Sequence, residues 1–190
     1  MPGSPDKRYY MACLDLEGRR SLVVGAGPVG LEKATGLVEC GARVTVVAPH
    51  AVAGFAALDV EWLAREYEPA DLDGRFLVIA ATSNEDLNRQ VFADAEARGL
   101  LCNVADVPEL CSFILPAVHR EGPIAVAVST GGASPALAQL LRSRIAAQVG
   151  PREALVAERL RALRPWAKRT FPTYEARRDF FQREVERSLE

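Results

Sequence analysis

Three glycines constrain the fold of this chain more than any other feature, because they lie between an apolar segment and a helical one. Gly25, Gly27 and Gly30 occur in RSLVVGAGPVGLEK at the spacing G-x-G-x-x-G. The preceding segment at 22–24 is apolar and largely β-branched, as is typical of a strand buried on both faces. The first glycine can take a tight turn, the second lets the backbone approach a pyrophosphate, and the third lets the helix pack on the strand. The motif predicts a nucleotide-binding loop, and a purely structural turn is the alternative.

Strands and helices alternate through the first 105 residues. This order predicts an α/β fold, a Rossmann-like doubly wound parallel sheet. Strands are expected at 22–24, 43–47, 60–65, 76–81 and 101–104, with helices at 29–40 and 84–98 and a short helix after Pro49.

The pattern changes after residue 110. Two strands without an intervening helix, separated by a turn at 121–123, predict a small separate sheet. Ser134 and Pro135 are a strong helix start, with serine as N-cap and proline at the first helical position. The strands are expected at 111–115 and 124–129, and C-terminal helices at 134–148, 152–164 and 174–188.

The charge is unevenly distributed, although the formal net charge is only −2. Residues 1–116 contain 10 Lys and Arg against 17 Asp and Glu, whereas residues 117–190 contain 13 against 8. The basic C-terminal part suggests an anionic partner, and a solvated helical surface is the alternative. Nucleic acid is not expected, because the chain as a whole is acidic.

Several functional classes are not expected from the sequence. No apolar run approaches the roughly 18 residues that span a bilayer, and MPGSPDKRYY at the N-terminus lacks the apolar core of a signal peptide. A cytoplasmic location is therefore expected. The 4 cysteines have no CxxC spacing and there are only 2 histidines, so no metal site is expected.

Four loops are expected to meet at the carboxyl ends of the parallel strands, where open α/β sheets bind ligands. They are residues 25–30, 48–50, 81–83 and 103–108. The second loop reads Ala48-Pro49-His50, without the carboxylate that commonly binds the ribose hydroxyls and without an arginine for a 2′-phosphate. The choice between NAD and NADP therefore stays open.

Two further positions are candidates for chemistry. Asp106 in NVADVP can accept a proton or hold a metal at the mouth of the cleft, and a turn aspartate is the alternative. The segment STGGASP at 129–135 combines two glycines, hydroxyls and a helix start. It is suited to bind a carboxylate of a substrate, or equally to form a structural turn.

Four blocks of this sequence resemble the siroheme-synthase dehydrogenase family, precorrin-2 dehydrogenases with or without sirohydrochlorin ferrochelatase activity. The blocks are MACLDLEGRRSLVVGAGPVGLEKA, LVIAATSNEDLNRQV, LCNVADVPELCSFILPA and IAVAVSTGGASPALAQLLR. The resemblance runs from about residue 10 to the C-terminus. The glycine loop departs from the family's usual G-G-G-x-V-A at Ala26 and Gly30. The sequence ends at Glu190, so the methyltransferase domain fused to some relatives is not expected.

The resemblance implies a homodimer that uses NAD⁺ to oxidise precorrin-2, an anionic tetrapyrrole, to sirohydrochlorin. It implies a loose tail at 1–10, an NAD-binding Rossmann domain at 11–110, a dimerisation segment at 111–149 and a helical domain at 150–190. Asp106 matches the aspartate of the family's N-V-x-D-x-P block and is the expected catalytic residue. Residues expected at the cofactor are Gly25, Gly27, Pro28, Val29, Gly30, Pro49, His50, Ala81, Thr82 and Asn103. Residues expected at the substrate are Ser129, Thr130, Gly131, Gly132, Ser134 and Arg142.

The expected mechanism transfers a hydride from a saturated ring carbon to the nicotinamide, while Asp106 assists proton loss or orients the ring. In a bifunctional member, insertion of Fe²⁺ or Co²⁺ would follow, with Asp106 guiding protons off the pyrrole nitrogens. A non-catalytic NAD-sensing module is the rival hypothesis. It explains the glycine loop but not Asp106, the segment at 129–135 or the basic tail.

Overall fold

The computed structural model describes residues 8–189, so most of the tail predicted at 1–10 lies outside the described residues. The chain forms two compact units, the first ending at Ile114 and the second beginning at Leu115. The first unit contains β1 (Arg20–Val24), α1 (Pro28–Glu39), β2 (Arg43–Val47), β3 (Val60–Leu63), β4 (Leu77–Ala80), α2 (Glu85–Glu96) and β5 (Leu101–Val104). The second contains β6 (Ala117–Glu121), β7 (Ile124–Val128), α3 (Pro135–Ala146), α4 (Pro151–Thr170) and α5 (Tyr174–Leu189).

The first unit is a five-stranded sheet in the order β3-β2-β1-β4-β5, and all its neighbouring strands are parallel. The central strands are buried on both faces because their side chains are nearly all apolar and alternate between two cores. One core contains Val23, Val46 and Ile79, and the other contains Leu22 and Val78. The predicted doubly wound α/β fold is confirmed.

The strand order changes direction at β1, because later strands are added first on one side of β1 and then on the other. The chain moves from β1 outward to β2 and β3, then returns to β4 on the other side of β1. The loops after β1 and β4 therefore diverge at the carboxyl edge of the sheet and leave a crevice between them, the usual ligand position in such sheets.

A two-stranded antiparallel sheet opens the second unit, as predicted, but its first strand is not where the sequence placed it. The strand expected at 111–115 is wrong: β6 begins at Ala117 and pairs in register with β7 through Glu121 and Ile124. Gly122, at φ +52°, fills the first position of the two-residue turn, where positive φ is required. Cys111 instead makes an isolated bridge to Asn103 beside β5.

The last two helices pack through aromatic side chains. Trp166 lies edge-on to Phe171 and Phe180, with ring centroids 5.7 and 5.4 Å away. The predicted end of the first of these helices at 164 is wrong, because α4 continues through Pro165 to Thr170. The aromatic cluster stabilises the last turns after the proline, where one backbone hydrogen bond is lost.

No helix within residues 8–189 combines the length and the apolar character needed to cross a bilayer.

Candidate functional site

A cleft of about 600 Å³ lies at the carboxyl edge of the first unit's sheet. Its walls come from the loops that follow β1, β2, β3, β4 and β5. The volume is within the range of about 300–1,000 Å³ typical of cofactor and ligand sites. Every described residue that lines the cleft belongs to the first unit.

Two of the three loop glycines are required by the packing of the protein itself. Gly25 has φ +104°, and a Cβ there would lie 2.5 Å from the carbonyl oxygen of Ala81. A Cβ on Gly30 would collide with the carbonyl oxygen of Gly25. These glycines allow β1, its loop and α1 to pack closely, which is the structural part of the motif.

Gly27 has no such internal reason to be glycine. Its φ is −79°, and a Cβ there would meet no atom within 4 Å. It is the N-cap of α1, which starts at Pro28 and has no side-chain cap. A missing side chain at this point leaves the first amides of α1 open to the cleft, and such helix N-termini attract phosphate. The loop therefore fits the pyrophosphate of a dinucleotide.

The other predicted cofactor residues divide into two groups. Pro28, Val29, Pro49, Ala81 and Thr82 line the cleft, as do Gly25 and Gly27, whereas Gly30, His50 and Asn103 do not. His50 is exposed beside the cleft. Asn103 is buried, and its amide nitrogen donates to the carbonyl oxygen of Phe113 at 3.0 Å.

Thr82 is fixed by a buried partner that sequence analysis missed. The hydroxyl of Thr82 donates to Oδ1 of Asn88 at 2.8 Å, and Nδ2 of Asn88 donates to the Thr82 carbonyl at 3.0 Å. Asn84 caps α2 by accepting from the amide of Leu87 at 3.1 Å. This network occupies the backbone amide and carbonyl of Thr82 and shapes the β4 side of the cleft.

Asp106 occupies a left-handed backbone conformation at the cleft. It has φ +61°, which aspartate tolerates better than most residues. The amide of Val107 donates to the carbonyl of Val104 at 3.2 Å, so Asp106 lies within a tight turn directly after β5. The turn exposes its carboxylate and makes Asp106 part of the cleft wall.

The side chain of Cys111 holds this turn in place. It was not identified from the sequence as part of the site. Its buried thiol lies 3.3 Å from the carbonyl oxygens of Val104 and Val107, and the Val104 amide donates to the sulfur at 3.3 Å. Both ends of the Asp106 turn are thereby tied to one side chain.

The cleft is also lined by Glu66 and Tyr67. They were not predicted from the sequence, because the four predicted site loops did not include the loop after β3. The sequence did offer a signal for these two residues: they follow β3, and the carboxyl ends of parallel strands lie at the same edge of the sheet. The hydroxyl of Tyr67 donates to Oδ2 of Asp94 at 3.0 Å. Burial, together with this hydrogen bond, raises the pKa of Tyr67.

The predicted substrate residues lie in the second unit, mostly in the loop before α3. The Thr130 hydroxyl accepts from the Ser134 amide at 3.0 Å, the Ser134 hydroxyl caps Leu137, and the Ser129 hydroxyl accepts from Gly131. Gly131 and Gly132 have φ +64° and +91°, which explains both glycines as turn residues. These hydroxyls stabilise the loop and the start of α3.

Arg142 differs from the loop residues because part of its side chain lacks a partner. Its Nη2 reaches Ser143 at 3.3 Å, but its Nε is buried without a hydrogen bond to any described residue. A buried unpaired donor costs about 1–3 kcal/mol.

Within residues 8–189, no group of three or more His, Cys, Asp and Glu side chains is placed to hold an ion.

Two family models match the chain. The first, described as "Putative NAD(P)-binding", matches residues 12–117, and the second, "Sirohaem biosynthesis protein central", matches residues 121–148. The first therefore covers the sheet, the glycine loop and Asp106.

Curated relatives with similar sequences are siroheme synthases. The chain is 45% identical over 182 residues to the siroheme synthase of Thioalkalivibrio sulfidiphilus, and 43% identical over 171 residues to that of Pseudomonas entomophila. These alignments cover 94% and 88% of this chain but 37% of each relative. The chain thus spans little more than a third of the length of these relatives. The resemblance predicted from the four sequence blocks is confirmed.

A solved structure has the same fold along nearly the whole chain. The protein described as "SirC, precorrin-2 dehydrogenase" superposes with a TM-score of 0.78 and 24% identity, covering 96% of this chain and 93% of that one. At this identity the match concerns the fold. Because the first family model covers more than half of the chain, including the whole parallel sheet and its cleft, the chain belongs to the NAD(P)-binding family that this model describes.

Proposed function

We propose that this protein oxidises precorrin-2 to sirohydrochlorin with NAD⁺, as a step of siroheme biosynthesis. The observation that carries the proposal is the pairing of Gly27, open to the cleft, with Asp106 on the cleft wall. The names of the similar proteins, siroheme synthase and precorrin-2 dehydrogenase, support this choice of substrate and reaction.

The cleft residues fit the binding of a dinucleotide. Gly27 and the first amides of α1 bind the pyrophosphate, and the backbone of Ala81 and Thr82 forms a wall on the β4 side. A bound NAD⁺ would supply the hydride acceptor for oxidation of the macrocycle. Asp106, on the β5 side of the cleft, accepts the proton that leaves with the oxidation, so one hydride and one proton are lost together.

The second unit supports an anionic substrate. Precorrin-2 is a polycarboxylate, and residues 117–190 carry 13 Lys and Arg against 8 Asp and Glu. Arg142 is one of these cations. We propose that Arg142 and the loop at 129–134 contribute to substrate binding.

A homodimer through residues 111–149 is supported by apolar side chains that the second unit exposes, among them Leu137 and Leu140, which are 46% and 49% exposed. Insertion of Fe²⁺ or Co²⁺ into sirohydrochlorin stays a prediction, as do the predicted domain boundaries and the cytoplasmic location.

Turnover tests the proposed function directly. The purified chain is mixed with NAD⁺ and precorrin-2, and the absorption of the macrocycle and of NADH is followed. We expect both signals to change in equal molar amounts. Binding of NAD⁺ without any turnover would favour the non-catalytic NAD-sensing module instead.

A further inference from the structure

The cleft has an unusual charge distribution for a site that receives a nucleotide. Among the described residues that line it, Glu66 and Asp106 are the acidic ones, and there is no lysine, arginine or histidine. Binding of phosphates in this cleft therefore depends on the backbone amides and dipole of α1. A ligand with an additional phosphate elsewhere in the cleft would meet no cation.

The two carboxylates lie on opposite sides of the glycine loop. Glu66 follows β3 and Asp106 follows β5, and these strands are the two edges of the sheet. Four strand spacings separate them, about 19 Å at 4.8 Å per strand. A dinucleotide whose pyrophosphate rests at Gly27 extends one nucleoside to each side. With the reacting ring on the Asp106 side, the adenosine lies on the Glu66 side.

Glu66 lies next to the position where the ribose carboxylate is missing. The segment after β2 reads Ala48-Pro49-His50, but the amide of Ala48 donates to the carbonyl of Leu63 at 3.2 Å, so the end of β3 runs beside it. Pro49 and Glu66 both line the cleft there. A carboxylate from the third strand can therefore do what a carboxylate after the second strand commonly does.

The carboxylate of Glu66 is free to bind a ligand, whereas the guanidinium of the neighbouring Arg65 is already bound to Asp71. Within residues 8–189, Glu66 makes no side-chain hydrogen bond or ion pair, and it is exposed. Arg65 donates to both carboxylate oxygens of Asp71, with Nη1 to Oδ2 at 2.9 Å, and Nη1 also donates to the Glu66 carbonyl at 2.8 Å. Arg65 therefore fixes the backbone of Glu66 and is occupied by Asp71, so it is not free to bind a 2′-phosphate.

We propose that Glu66 binds the hydroxyls of the adenosine ribose and repels a 2′-phosphate, so that the cleft takes NAD⁺ and excludes NADP⁺. This inference rests on the proposed function, which assigns a dinucleotide to the cleft. Glu66 thus sets the choice between NAD⁺ and NADP⁺, which the sequence of the segment after β2 leaves open.

Calorimetric titration of the full chain with NAD⁺ and with NADP⁺ tests the proposal. We expect the wild-type protein to bind NAD⁺ at least tenfold more tightly than NADP⁺. Glu66→Ala loses charge-assisted hydrogen bonds to the ribose, which corresponds to roughly 10-fold to 100-fold weaker NAD⁺ binding. Glu66→Gln retains hydrogen bonding but not the charge, so it binds NAD⁺ more tightly than Glu66→Ala and NADP⁺ more tightly than the wild type.

A matched control is Glu39→Ala, an exposed glutamate at the opposite end of α1, which we expect to leave both affinities unchanged. Circular dichroism melting shows that each variant is folded. If the wild type binds NAD⁺ and the Glu66 variants keep its affinities for both dinucleotides, the inference is overturned while the proposed function stands. If the wild-type chain binds neither dinucleotide, both are overturned.

Discussion

At the scale of single residues, the three loop glycines differ in what a side chain would meet. Gly25 and Gly30 are enclosed by the carbonyl groups of Ala81 and Gly25, respectively, whereas Gly27 faces open space. The sequence motif names all three positions but does not distinguish them. The structure shows that two serve the packing of the loop and that Gly27 is the one a ligand would require.

This difference predicts opposite effects of two substitutions. Gly27→Val should melt within a few degrees of the wild type, because its Cβ has free space, but it should lose NAD⁺ binding because its side chain blocks the approach of the pyrophosphate. Gly30→Ala should lose about 1–3 kcal/mol of stability, because its Cβ enters the Gly25 carbonyl. Thermal melting and calorimetry measure both effects. Normal NAD⁺ affinity in folded Gly27→Val would show that the loop is only a turn.

The residues that sequence analysis missed or displaced have a common cause. A motif identifies backbone conformations well, since glycine spacing reflects local geometry. It does not identify side chains that reach the site from another strand, such as Glu66 and Tyr67, or supports such as Asn88 and Cys111. Asn103 shows the opposite error: it belongs to the same sequence block as Asp106, yet its side chain donates to the carbonyl of Phe113 and does not line the cleft.

At the scale of elements, the sequence predicts the apolar strands of the parallel sheet but not the polar strand β6. The strand predictions at 43–47 and 101–104 match β2 and β5 residue for residue, because buried parallel strands are runs of apolar residues bounded by turns. β6 reads AVHRE, and it is recognisable as a strand only through its pairing with β7. The segment at 111–115 is apolar for a different reason: Phe113 packs against one core of the sheet, and Cys111 and Ile114 pack in the other.

The connection between β3 and β4 predicts a pH dependence of stability. Burial would raise the pKa of Asp71, but hydrogen bonds from Arg65 and from the Glu68 amide outweigh it and hold the pKa below its usual value. A lowered pKa in the folded state means that this stabilisation is complete above the pKa of the unfolded chain, about 3.9, and is lost as the pH falls through the folded value.

Asp71→Asn should therefore unfold at lower urea concentration than the wild type at pH 7, and the difference should shrink as the pH falls below about 4. Urea denaturation across this pH range measures it. Asp73→Asn is the matched control, because Asp73 is exposed and, among residues 8–189, its carboxylate makes just one long contact, to Arg98. A difference in midpoint that stays constant from pH 7 to the acid limit would contradict the role given to Asp71.

At the scale of the whole molecule, the chain joins an acidic nucleotide-binding unit to a basic unit with exposed apolar side chains. Leu137 and Leu140 lie one turn apart on α3, and both are nearly half exposed. Exposed apolar patches of this kind mark interaction surfaces. A second copy of the chain is the partner that the proposed homodimer requires.

The proposed homodimer predicts that Leu137→Glu combined with Leu140→Glu gives a monomer. Leu137 and Leu140 are about half exposed, so burying the exposed part contributes about half of the 1.5–3 kcal/mol of a fully buried leucine. Two glutamates in their place add unpaired charge to the interface. Sedimentation measures the mass at several concentrations. Leu14→Glu, at an equally exposed leucine of the first unit, should remain dimeric. A wild-type chain that sediments as a monomer at all concentrations would contradict the proposed assembly.

The central claim is that Asp106 acts on a substrate oxidised by NAD⁺ in this cleft, and a single-turnover experiment tests it most directly. Asp106→Asn keeps a side chain that tolerates φ +61° but removes the proton acceptor. With excess protein and saturating NAD⁺, the rate of precorrin-2 oxidation should fall by about 10²–10⁴-fold, while the affinity for NAD⁺ stays unchanged. Glu109→Gln, an exposed carboxylate that does not line the cleft, should retain the wild-type rate. A wild-type rate in Asp106→Asn would contradict the account and reduce Asp106 to a turn residue.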